Sequence, residues 1–126
     1  MNVLILLAHG SRHSATANEL AELAASVGCA VAPQPVVYAF LEIAKPSLHE
    51  ALGRAVREGA TTIDVLPLLL NTGNHITRDI PRLIAEARRQ HHGLTIRLLA
   101  HIGAHPGFLV LVEQVACAAD EHVVDS

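Results

Sequence analysis

Val3-Leu4-Ile5-Leu6-Leu7-Ala8, followed at once by His9-Gly10-Ser11-Arg12, is the stretch on which the reading of this sequence turns. The apolar run is too short for an ordinary helix and lacks the alternation of a half-exposed strand. Strands covered on both faces, as in the parallel sheets of α/β domains, read this way. Three further runs of the same kind follow at Val36–Phe40, Thr61–Leu70 and Leu94–Ala100. Helical spacing fills the gaps. Ser14–Val27 sets Ala17, Leu20, Ala21 and Ala24 against Asn18, Glu19 and Glu22. Pro46–Glu58 opens on a proline and stops at Gly59, the usual punctuation of a helix. Ile76–His91 sets Ile80, Leu83, Ile84 and Ala87 against Arg82, Glu86 and Arg89, and a last helix is expected from about Pro106 to Asp120. The order βαβαβαβα predicts an α/β fold: an open four-stranded parallel sheet, strand order 2-1-3-4, flanked by helices. A single domain is expected over residues 1–126, with the tail 121–126 frayed.

Composition narrows the function. Hydrophobic residues make up 51% of the 126 but aromatics only 2%, so the core must be built from Leu, Val, Ile and Ala. The net charge is −3, without a basic tract or aromatic platform, which argues against nucleic acid as a partner. Val3–Ala8 is too short to span a bilayer and no basic segment precedes it, so neither a membrane anchor nor a signal peptide is expected and the cytoplasm is the expected location. Cys29 and Cys117 lie far apart among small apolar residues and read as buried, inert thiols in a reducing compartment. In the last helix, Phe108–Val112 and Val115–Ala119 are almost wholly apolar, with Glu113 and Gln114 between them. A helix apolar all round is buried on more than one side, which in so small a domain predicts a subunit interface and a homodimer.

Ligands of open parallel sheets bind beyond the carboxyl ends of the strands, where the winding reverses. The residues after each strand are His9-Gly10-Ser11-Arg12-His13, then Glu42 and Lys45, then Asn71-Thr72-Gly73-Asn74-His75, then His101 and His105. With strand order 2-1-3-4 the reversal falls between the first and third strands, so His9 and His75 are expected to face each other. Two imidazoles and a carboxylate form an incomplete metal site, since imidazole is the commonest ligand of divalent transition metals. A closed structural zinc site wants four protein ligands, usually including thiolates, and neither cysteine lies on this rim. An open site suits an ion that must leave. His13, His49, His91, His92 and His122 read as solvated, while His101 and His105 stay undecided. Arg78 and Asp79 read equally as a helix-start charge pair.

Three motifs, VLILLAHGSR at 3–12, LPLLLNTGNHITRDIP at 66–81 and IGAHPGF at 102–108, resemble those of the small sirohydrochlorin chelatases, class II tetrapyrrole chelatases, across nearly the whole chain. The resemblance implies a chelatase-like fold equal to one half of the longer, two-lobed members, and a symmetric homodimer. It implies ATP-independent insertion of cobalt, iron or nickel into sirohydrochlorin, in cobalamin- or sirohaem-type biosynthesis, with the divalent ion as substrate and no organic cofactor. By the same resemblance His9 and His75 bind the metal, and Glu42 matches the acidic residue after the second strand. One departure is His13-Ser14, where many relatives continue with an acidic residue and proline. Sirohydrochlorin is rimmed by carboxylates, so Arg12, Lys45 and Arg78, with Ser11, Thr72 and Asn74, are the expected substrate-binding residues. A non-catalytic metal or tetrapyrrole carrier would share these features. Histidine phosphatases place arginine directly before His-Gly, where this chain has Ala8.

Overall fold

The computed structural model describes residues 1–124, except for the side chains of His75 and Ile76. Strands β1 (Asn2–Ala8), β2 (Val36–Phe40), β3 (Thr62–Pro67) and β4 (Thr95–Leu98) alternate with helices α1 (Ser14–Ala30), α2 (Leu48–Arg57), α3 (Ile80–Gln90) and α4 (Pro106–Cys117). A π-helical turn, His75–Asp79, leads into α3, and short 3-10 turns at Ile102–Ala104 and Ala119–His122 flank α4. All strand pairs are parallel and the order is β2-β1-β3-β4, as the run pattern predicts.

Alternation along β1 assigns its side chains to two layers. Val3, Ile5 and Leu7 join Ile63, Val65 and Ile96 beneath α2 and α3, whose Leu48, Leu52, Ile80 and Ile84 complete that core. Leu4, Leu6 and Ala8 face the other way, with Phe40, Leu66 and Leu68, under Leu20 and Ala24 of α1. At roughly 25 cal/mol per Å2 of apolar surface removed from water, such all-aliphatic layers are the main stabilising term. Phe40 and Tyr38 add an edge-to-face ring contact with centroids 5.9 Å apart.

Several local expectations are revised. The second helix is started by Ser47, not Pro46: the Ser47 side chain accepts the Glu50 N–H, and Glu50 returns a bond to the Ser47 N–H. The third strand ends at Pro67, because Leu68–Leu70 turn onto the rim. Cys29 and Cys117 are exposed rather than buried. Of the tail expected to fray, Glu121 and His122 belong to the last 3-10 turn, and residues 125–126 lie outside the described residues.

In the single chain α4 stands bare. Its Leu109, Val110, Leu111, Val112 and Val115 are all exposed, and no residue of the helix is buried. Its contacts are chiefly with the two 3-10 turns at its ends. Only Ile96 of β4 is buried, and Leu98 and Leu99 stand exposed, so one end of the sheet lacks the two-sided cover read from Leu94–Ala100.

Candidate functional site

The rim at the strand carboxyl ends is laced together by main-chain bonds. The Leu41 and Glu42 N–H groups donate to Ala8 and His9 carbonyls at 2.9 and 3.1 Å, extending the β1–β2 ladder beyond the strands. The Leu68 N–H donates to Leu7 O at 2.7 Å, and the Gly103 N–H to Leu69 O at 3.1 Å. All four post-strand segments are therefore joined side by side. Two glycines permit this. Gly10 has φ 120°, and a Cβ there would lie 1.9 Å from the Glu42 carbonyl oxygen; a Cβ on Gly103 would lie 1.9 Å from that of Leu70. Only glycine allows backbones to approach so closely.

On this frame His9 Nε2 lies 3.0 Å from Glu42 Oε1, both side chains about half exposed. A carboxylate at hydrogen-bond distance fixes an imidazole's orientation and tautomer, the usual support of a metal-binding histidine. The same pair offers a metal ligand and a proton acceptor together. His75 begins the π-helical turn that follows the β3 segment, and the expectation for its imidazole lies outside the described residues. That turn is tied back to the rim: the Thr77 N–H and hydroxyl both donate to Gly73 O, each at 3.0 Å.

The expected substrate-binding residues all sit on these segments. Arg12, Lys45, Thr72, Asn74 and Arg78 are exposed, and Ser11 is half-buried with its Oγ accepting the His13 N–H at 3.0 Å. Asp79 pairs with Arg82 at 3.4 Å, which makes Asp79 and Arg82, not Arg78, the helix-start charge pair. His13 is exposed as expected but also caps α1: its Nδ1 accepts the Ala15 N–H at 3.2 Å. His105 caps α4 in the same way, accepting from Gly107 N at 2.9 Å, while His101 is half-buried. Histidine is an uncommon cap, so the sequence carried no signal for these roles. A groove of about 510 Å3 lies elsewhere, along the outer edge of β2 between α1 and α2, and contains neither His9 nor Glu42. Among the described residues no three His, Cys, Asp or Glu side chains form a metal cage. Among its described residues the rim carries the His9–Glu42 imidazole–carboxylate pair.

Fold and rim together define an α/β protein with an imidazole–carboxylate pair at the carboxyl ends of its parallel strands. A family model described as CbiX matches residues 3–119, and the chain belongs to this family. A sirohydrochlorin cobaltochelatase of Methanocaldococcus jannaschii is 36% identical over 91 residues, covering 72% of this chain and 64% of that protein. Another, from Saccharolobus islandicus (strain L.S.2.15 / Lassen #1), is 44% identical over 68 residues, 51% of this chain and 53% of that protein. The chain thus spans about half the length of the second relative and under two-thirds of the first. The crystal structure of a protein from Marinobacter aquaeolei VT8, named for a proposed CbiX role in cobalamin (vitamin B12) biosynthesis, superposes with a TM-score of 0.82 at 31% identity, over 98% of this chain and 100% of that one. The sirohydrochlorin chelatase SirB from Bacillus subtilis subspecies spizizenii, in complex with cobalt, gives 0.81 at 28% identity, over 93% of this chain and 50% of that one.

Proposed function

We propose that this protein inserts a divalent metal, cobalt foremost and iron or nickel as alternatives, into sirohydrochlorin without ATP, in cobalamin- or sirohaem-type biosynthesis. The carrying observation is the His9–Glu42 pair, 3.0 Å apart on the rim where the strand order reverses. The names of the relatives support the substrate and the metal. His9 and His75 hold the ion above the macrocycle, and moderate affinity from so few ligands lets it move on. Insertion exchanges two pyrrole N–H protons for the ion. Glu42, hydrogen-bonded to His9, accepts one of them, and an imidazole that has given up the ion takes the other. Arg12, Lys45 and Arg78 meet the substrate's carboxylates, and Ser11, Thr72 and Asn74 add neutral donors.

The working form on this reading is a homodimer. The exposed aliphatic face of α4 and the bare Leu98 and Leu99 beside β4 are surfaces a second copy would cover. Because α4 begins just after the rim turn Ile102–Ala104, such a partner would stand beside the metal site. Among the described residues no helix is long and apolar enough to cross a membrane. Two exposed, unpaired thiols argue for a reducing compartment, the cytoplasm.

The test is an absorbance assay with purified protein, sirohydrochlorin and cobalt, with no nucleotide present. His9→Ala and His75→Ala are expected to fall to the spontaneous rate with unchanged circular dichroism, and Glu42→Gln to lose about 10–100-fold. Wild-type protein that binds metal yet leaves the insertion rate at the spontaneous value would instead be a carrier. Normal turnover by His75→Ala at limiting metal would remove His75 from the mechanism.

A further inference from the structure

Among the described residues, Ile43 alone combines a side chain with a positive φ, 72°. It sits at the centre of a γ-turn that the Ala44 N–H closes on the Glu42 carbonyl at 2.8 Å. Left-handed backbone is hardest for a β-branched residue, and a γ-turn of this hand is strained. Packing does not offset that strain, because Ile43 is 60% exposed. Backbone strain that stability does not explain is found at functional sites. The position fits: Ile43 directly follows Glu42, whose carboxylate meets His9. Leu70, 57% exposed, follows β3 and therefore lies on the opposite side of the β1 segment. Two bare aliphatic residues thus flank the imidazole–carboxylate pair, one on each neighbouring rim segment.

On the chelatase reading proposed above, on which this inference rests, the substrate is a flat apolar ring with a charged periphery. Arginine and lysine can hold the periphery, but the ring face needs apolar contact. We infer that Ile43 is a specificity-determining residue for the macrocycle: its side chain bears the ring face, and its γ-turn keeps that contact next to Glu42. Leu70 is the matching contact across His9.

Three variants test this. Ile43→Asn accepts a left-handed backbone while removing the aliphatic surface, Ile43→Gly relieves the strain as well, and Ile43→Val keeps a branched apolar side chain. Each is assayed for cobalt insertion, for equilibrium binding of metal-free sirohydrochlorin by absorbance, and for mass by sedimentation. The Asn and Gly variants are expected to raise KM and the sirohydrochlorin Kd about tenfold, the order for taking part of an isoleucine out of water. Their kcat is expected to change less than about twofold and their melting temperatures to equal or exceed that of the wild type, with Val close to the wild type throughout. Unchanged KM and Kd in the Asn and Gly variants, beside an active wild type, overturn this inference alone. A weakening that accompanies dissociation into monomers and disappears at high protein concentration overturns it too, by making Ile43 a subunit contact. A wild type that neither binds nor metallates sirohydrochlorin overturns the chelatase reading and this inference with it.

Discussion

At Gly10 the Cα lies against the Glu42 carbonyl, and φ is 120°. A methyl group there must displace either the turn after β1 or the segment holding Glu42. Gly10→Ala is therefore expected to cost about 1–3 kcal/mol in urea denaturation, the usual scale of a forced backbone, and, on the proposed function, to slow metal insertion by parting His9 from Glu42. A variant with wild-type stability and rate would show that the close approach is incidental. The rim positions of His9, Gly10 and Glu42 were legible in the sequence because each closely follows an apolar strand run. Ile43 was not legible. An isoleucine after a strand looks like ordinary apolar sequence, and its left-handed φ arises only from the chain path between β2 and α2. The capping roles of His13 and His105 were hidden for a similar reason, since imidazole Nδ1 serves as a cap only where the preceding turn aims it at the helix.

Among the elements, α2 shows how local chemistry sets a boundary. Its Ser47–Glu50 capping box fixes the first turn, and the bonds from Ser47 hold the Glu50 carboxyl below the ordinary glutamate value. A carboxyl depressed in the folded state contributes stability above its unfolded pKa and loses it as pH falls through the folded value. Ser47→Ala is expected to cost about 1 kcal/mol at neutral pH by denaturant titration. Glu50→Gln and wild type, separated at neutral pH, are expected to converge in acid below the glutamate range; a gap that persists there would detach the charge from the cap. In the sheet, Arg97 Nη2 donates to Asp64 Oδ2 at 2.8 Å, between residues in register on β4 and β3. Asp64 is nearly buried, and this bond, together with the nearby negative charge, raises the Arg97 pKa. Apolar runs located all four strands, although Asp64 and Arg97 interrupt two of them. They overran at Leu68–Leu70, where apolar residues continue past the end of β3. Leu94–Ala100, which includes Arg97, reads as covered on both faces like its neighbours, and in β4 only Ile96 is buried.

At the level of the whole molecule, the alternation of runs and helices implied an open parallel sheet with right-handed crossovers, among whose arrangements the expected order 2-1-3-4 is the one observed. The apolar character of α4 was equally legible, but what covers it was not: composition demands burial without naming the surface. Leu109→Asp, at a position 63% exposed in the single chain, is expected to leave the domain folded and convert a dimer to monomers in sedimentation equilibrium. An unchanged mass, or a monomeric wild type, would refute the assembly. The main-chain bonds along the rim carry a different consequence. Neighbouring loops are clasped by amide groups that every residue possesses, with two glycines providing the clearance, while the side chains proposed to hold the ion hang from this framework. Their softness and number can change without the scaffold being rebuilt. On the proposed function, which ion is accepted is then a matter of fittings rather than architecture.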